Sequence, residues 1–386
     1  MAKFTYYLIY LCPLRIYLML EEYFSKINIV QEFMQYQLGA GIERHVHNFP
    51  SLDGKKFAIM GVKSDSNAAE NDTIRRELYS LVAHTSLETI LVDLGDILAG
   101  ETPAETHAAL KTVTQELLEL DMVVLVLGTN IDQGEALYRP LENLGKSVEA
   151  TLISSHLPIL EYQLLSRICA HTPNYLKNLN VLGFQSHYIP PKAMDTLENL
   201  NFGYMRLGAL KANIEEAEVY LRDASLTLFN MNAMRHADAP GQIAAQPNGL
   251  ASEEACQLAR YAGVSDTSRI LGIFGYQEKS DPLHLTAKLI SQLIWYYLDG
   301  YANRTQDSPE MHNEFTKYRC DINDSQPPIL FLKSKRTSRW WMDIEHPSRP
   351  EDERSIVRIP CTYDDYQVAA SGDTPERYLQ AIKRLK

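Results

Sequence analysis

The chain has 386 residues, 45% hydrophobic and 22% charged, which is ordinary for a globular protein and enough for one large α/β domain with an appendage or for two domains. Its net charge of -12 argues against nucleic acid or an anionic membrane surface as partner, since both select clustered Lys and Arg. The five cysteines, Cys12, Cys169, Cys256, Cys320 and Cys361, are scattered and form no CxxC pair. They read as reduced thiols in a cytoplasmic setting, not as a disulfide frame or a zinc site.

The first residues are unusual. Lys3 is followed by an apolar run from Phe4 to Leu14, too short for a membrane span. No small-residue cleavage site follows it. We read residues 1–34 as a leader or extension, with Met19 as a natural start.

From residue 56 to 303 short apolar runs alternate with amphipathic stretches. The strands predicted are 57–62, 89–95, 122–128, 149–153, 180–184, 203–207, 225–231 and 269–275. Each is continuously apolar, as strands covered on both faces of a parallel sheet are. Between them, Leu110, Val113, Leu117 and Leu120 form one buried helical stripe. Ser252, followed by Glu253 and Glu254, reads as a helix N-cap with acids in its first turn. A long helix is predicted over 281–304, with Pro282 in its first turn. Alternation of this kind implies parallel βαβ units in a doubly wound sheet, whose working site lies at the carboxyl ends of the strands. Beyond residue 304 the pattern becomes a small β-rich extension, 304–386. Its strand-like runs lie at 327–335, 338–347 and 354–360, and a final helix closes it.

At the predicted strand ends stand "DLGD" (93–96), "LGTNID" (127–132), "ISSHLPI" (153–159), "FNMNAMRHADAPG" (229–241) and "GIFGYQEKSD" (272–281). In this order, with "PNGLASEEACQLARYAG" between the last two and "TAKLISQLIWYYL" after them, they resemble the ureohydrolases: arginase, agmatinase and formimidoylglutamase. The resemblance covers roughly 35–303 and lies nearest to formimidoylglutamase-like members, which also carry an "RWWM"-type tail. It implies an arginase-like three-layer α/β/α fold with an eight-stranded, mainly parallel sheet, plus the C-terminal extension. It also implies a homo-oligomer.

Members of that family hold two manganese ions with motifs of the form GGDHS, DAHxD and SxDxDxxDP. Carried over residue by residue, the His of the first falls on Ile131. The Asp, His and Asp of the second fall on Ser154, His156 and Pro158. The two carboxylates of the third fall on Asn230 and Asn232, and the active-site Glu falls on Gly275. Of six expected ligands only His156 remains. Hard divalent cations are held by carboxylate oxygen and imidazole nitrogen, so no manganese cofactor is expected.

Asn230 and Asn232 are expected to hydrogen-bond the loop backbone, with a bound polar ligand as the lesser reading. His156 is expected to be a satisfied polar residue in a pocket. Asp132, Asp238 and His236 could build a displaced single-metal site. Asp93 and Asp96 are expected to bind backbone amides. Trp340 and Trp341 read as a small core, and as an interface only if exposed beside Arg336 and Arg339. The sequence thus points to a pseudoenzyme acting through a small molecule or a protein partner. The alternatives are a formimidoylglutamase-type hydrolase with a rebuilt site and a small-molecule sensor using the old pocket.

Overall fold

A computed structural model describes residues 20–62, 70–83, 87–145, 147–322, 328–345 and 356–385. Of the leader or extension read at 1–34, residues 1–19 lie outside the described residues, as do positions 327, 346–347 and 354–355 of the predicted tail strands.

The central sheet has the strand order β1-β4-β3-β5-β10-β9-β6-β7-β8. Eight of its strands are those predicted, β3 with the same ends and the others with ends moved by at most four residues. They are β3 (Phe57–Val62), β4 (Leu91–Ile97), β5 (Val123–Gly128), β6 (Val148–Ile153), β7 (Leu176–Phe184), β8 (Gly203–Arg206), β9 (Leu226–Asn230) and β10 (Ile270–Phe274). All eight pair in parallel. Two additions escaped the sequence reading because they are two residues long: β1 (Phe24–Ser25), antiparallel to β4, and β2 (Glu43–Arg44), parallel to it. Among the described residues the sheet therefore has ten strands where eight were expected.

Period two along each strand divides the side chains between two cores. Val123, Leu125 and Leu127 enter one, and Val124 and Val126 the other. The helices of the main domain are α1 (Leu38–Gly41), α2 (Glu70–Ser80), α3 (Pro103–Glu119), α4 (Gly134–Asn143), α5 (Leu164–Ala170), α6 (Pro191–Asn199), α7 (Leu207–Ala212), α8 (Ala217–Leu221), α9 (Ser252–Val264) and α10 (Leu285–Ala302). Leu110, Val113 and Leu117 of α3 fill the second core, while α9 and α10 cover the first. That arrangement gives the three layers. Among the described residues no helix is long and apolar enough to cross a membrane.

Two helix starts differ from expectation. Ser252 is the first residue of α9, not its cap. The Asp238 carboxylate accepts from the Ser252 backbone N–H (2.8 Å) and hydroxyl (3.1 Å), so a residue distant in sequence does the capping. Pro282 precedes α10, because Asp281 reaches the N–H groups of Thr286 and Ala287 (3.1 and 3.0 Å) and sets the start at Leu285.

The extension is an antiparallel sheet of β11 (Phe315–Cys320), β12 (Ile329–Ser334), β13 (Trp340–Glu345) and β14 (Ile356–Cys361), with α11 (Tyr363–Ala370) and α12 (Glu376–Leu385). β11 and α11 were not predicted; the alternation in β11 is broken by charge and exposure on both faces. Trp340 and Trp341 are both buried, at 6% and 4% exposure. Adjacent on a strand, they point to opposite faces. Trp340 packs with Tyr366 (4.9 Å) and Tyr318 (5.2 Å) in the tail's own core. Trp341 lies under the Arg222 guanidinium at 4.7 Å. Arg222 also donates to the Trp340 carbonyl, and Arg339 pairs with Glu218 of α8 at 2.9 Å. The tail is thus bonded to the main domain through the α8 region.

Candidate functional site

Strands β5, β10, β9 and β6 are consecutive neighbours at the middle of the sheet. Their registers align Gly128 with Phe274, Phe274 with Asn230, and Ile153 with Phe229. The loops that leave their carboxyl ends therefore emerge side by side. These loops carry Ile131, then Ser154, His156 and Pro158, then Asn230 and Asn232, and Gly275.

On the β6 and β9 loops the side chains bond to one another. Asn232 Oδ1 accepts from the Ser154 hydroxyl and from the Ser155 N–H, each at 3.2 Å. Asn232 Nδ2 lies 3.4 Å from His156 Nδ1, which is 2.8 Å from the Ser155 hydroxyl. Ser154 also accepts from the His156 N–H at 3.1 Å. Asn230 Oδ1 accepts from the Asn232 N–H at 3.1 Å, closing the turn after β9. Asn130 makes the equivalent bond to the Asp132 N–H at 2.9 Å after β5. In both places a short side-chain oxygen satisfies a donor two residues on, the usual use of Asn at a turn.

The His156 ring stacks on Tyr188 with centroids 4.8 Å apart and planes 11° from parallel, and His187 meets the same tyrosine at 4.1 Å. The Tyr188 hydroxyl is hydrogen-bonded to Gln246. Burial lowers the His156 pKa and the neighbouring His187 lowers it further, so His156 is a neutral imidazole at neutral pH. Tyr188, His187 and Gln246 were not singled out from the sequence. They lie outside the quoted motifs, and only the chain path brings them to His156.

Gly275 is buried with φ of +90°, and a Cβ placed there would lie 2.7 Å from Asn230 Oδ1. This position holds glycine because backbone and neighbour both exclude a side chain. Ile131 packs against the core beneath the sheet's second face, and the Pro158 carbonyl accepts from the Leu165 N–H at 2.8 Å.

The acids expected for a displaced metal site are not brought together. Asp132 is bound by Arg167 at 2.9 Å. Asp238 is bound by Arg235 at 2.8 Å and by Ser252; burial works to raise its pKa, but these hydrogen bonds and the Arg235 charge hold it below the usual range. His236 is exposed. Each carboxylate is already neutralised by an arginine, which leaves none for a cation. Among the described residues no three His, Cys, Asp or Glu side chains are grouped to hold a metal ion.

Asp93 and Asp96 depart from the expected binding of backbone amides. Asp93 accepts from the Gly95 N–H as expected (3.0 Å), but its main partners are Arg75 Nε at 2.9 Å and the Tyr79 hydroxyl at 2.7 Å. Asp96 accepts from Arg75 at 2.7 Å and from Asn71 at 3.1 Å. Arg75 is fully buried, so this is an internal ion cluster and not a pair of loop-binding acids.

No protein-family model matches the chain. No curated protein matches it by sequence. Solved structures do. The formimidoylglutamase of Bacillus subtilis superposes with a TM-score of 0.63 at 16% identity, over 72% of this chain and 96% of that one. A formiminoglutamase of Trypanosoma cruzi, crystallised with manganese, gives 0.61 at 17% identity, over 70% and 99%. A hypothetical agmatinase of Burkholderia thailandensis gives 0.57 at 16% identity, over 66% and 88%. The chain therefore has an arginase-like fold.

Proposed function

We propose that this chain is a ureohydrolase-fold pseudoenzyme that has given up dinuclear manganese chemistry and acts by binding or assembly. One observation carries the reading. At the carboxyl ends of β5, β10, β9 and β6 the positions that the sequence resemblance assigns to the family's ligands carry an isoleucine, a serine, a histidine, a proline and two asparagines. The oxygens of that set already serve the protein's own donors, with Asn232 Oδ1 held by Ser154 and Ser155 and Asn230 Oδ1 by Asn232. Two divalent ions need anionic oxygen to offset their charge. This set supplies one neutral imidazole and no carboxylate, so it does not fit the manganese pair, and no hydrolytic step is drawn through one. Keeping a fold does not keep its activity. A hydrolase acting on C–N bonds in linear amidines, as the formimidoylglutamase-type alternative requires, would have to use a different set of groups.

The test is metal analysis of protein purified from manganese-supplemented medium, with turnover assays on formimidoylglutamate, arginine and agmatine. Expected are a manganese content far below one ion per chain and no turnover above background. About two tightly held ions per chain, the stoichiometry of a two-metal mechanism, would overturn the reading. Rebuilding the set with Ile131→His, Ser154→Asp, Pro158→Asp, Asn230→Asp and Asn232→Asp should create manganese affinity. The added carboxylates repel one another without metal, so this variant should melt below the parent and recover when manganese is added. A folded variant that binds no metal would show that the alignment of these positions is wrong.

A further inference from the structure

Away from the loops just described, at the amino ends of β6 and β7, the main domain and the tail enclose a cavity of about 320 Å³. One wall carries Glu149, Lys177, Asn178 and Asp223, and the other carries Arg358 of β14 with Arg377 and Arg384 of α12. Most of the charges are matched within the protein. Lys177 pairs with Glu149 at 2.7 Å, Arg358 with Asp343 at 2.6 Å, and Arg377 with Asp365 at 3.1 Å. Two are not. Asp223 is half-buried at the cavity wall and makes no hydrogen bond or ion pair among the described residues. Among the described residues Arg384 reaches only the neutral Asn178 amide.

Burial and the nearby Glu149 charge push the Asp223 carboxyl up to about 7. Burial likewise pushes the Arg384 pKa down. An unmatched charge of each sign at the wall of one cavity is costly, and the cost falls when a ligand brings the complementary groups. Leu176, Val219, Val357 and Ile359 supply apolar wall between them. A volume of this size is at the lower end of small-molecule sites, roughly 300–1,000 Å³.

We propose that this cavity binds a free aliphatic α-amino acid, its ammonium on Asp223 and its carboxylate on Arg384, with the aliphatic body against the apolar wall. The site needs residues of both the main domain and the tail, so occupancy tightens their junction. It lies apart from the proposed pseudoenzyme centre, and its test reads neither manganese nor turnover, so either idea can fail alone.

The full chain should be screened by thermal shift against the protein L-amino acids at millimolar concentration, then titrated by calorimetry with L-leucine, L-isoleucine and L-valine. At least one of these three should bind. Its heat at pH 7 should depend on the buffer's ionisation enthalpy, because the ammonium drives a proton off Asp223. Isopentylamine and 4-methylpentanoate, which lack one charged group each, should bind about tenfold or more weakly, the usual effect of losing a charge-assisted contact. Asp223→Asn and Arg384→Gln should each weaken binding by a similar factor; if the first does not fold, the second still decides. The proposal is overturned if none of the three amino acids binds, if both variants bind like the parent, or if either single-charge analogue binds as tightly as the amino acid.

Discussion

Replacing Arg75 with methionine tests the ion cluster beneath β4. Arg75 is fully buried on α2, and its guanidinium donates to Asp93 at 2.9 Å, to Asp96 at 2.7 Å and to the Gly95 carbonyl at 2.9 Å. Methionine fills much of the same volume, so the cavity cost is small. The loss is electrostatic, because Asp93 and Asp96, at 0% and 4% exposure, stay behind without their cation. Breaking a buried pair in this way costs about 3–5 kcal/mol. The lower end is expected here, since Tyr79 and Gly95 still donate to Asp93 and Asn71 to Asp96. Adding Asp93→Asn and Asp96→Asn removes most of the stranded charge, Asp72 at 3.6 Å from Arg75 being what remains, so the triple variant should regain a substantial part of the loss. Urea unfolding of parent, single and triple variants at neutral pH measures both steps. If Arg75→Met costs less than about 1 kcal/mol, the range of an exposed pair, the cluster contributes far less than its geometry implies. If the triple variant is no more stable than the single one, stranded carboxylates are not the cause.

Trp340→Ala should cost about 3–5 kcal/mol in urea unfolding, as for a large aromatic deletion from a core, while light scattering of the folded protein stays unchanged; an unchanged melt would place the ring outside the core. For Asp223 the sign follows from its raised pKa: the folded state holds a proton between the ordinary value of 3.8 and about 7 that the unfolded state has lost, so stability falls as pH rises through that window. Asp223→Asn should flatten this slope in melts from pH 4 to 8, and a parent whose stability rises across the window would contradict the assignment. Gly275→Ala meets both φ of +90° and the Asn230 amide oxygen 2.7 Å away; a loss of about 1–3 kcal/mol is expected for such strain, and a neutral result in chemical denaturation would mean that the loop relaxes freely.

The main sheet was legible because its strands are continuous apolar runs, such as Phe57–Val62 and Val123–Gly128, and burial on both faces leaves no other solution for them. That a proline at 158 or an isoleucine at 131 offers no donor side chain in any conformation could also be read directly. What surrounds those positions could not be read. Asn232 meets Ser154 across 78 residues of chain and His156 stacks on Tyr188, contacts that exist only because β6 and β9 are neighbours and β7 runs beside them. Asp132, Asp238 and His236 looked alike as candidate ligands in the sequence. The fold separates them by giving each acid its own arginine, Arg167 or Arg235. The buried Arg75 and the unmatched Asp223 have ordinary sequence neighbours, because pairing of charges depends on which elements meet. Local pattern therefore determined which segments are strands and which positions lack a donor side chain. Tertiary structure alone decided which polar groups are satisfied, which are left over, and where they face one another.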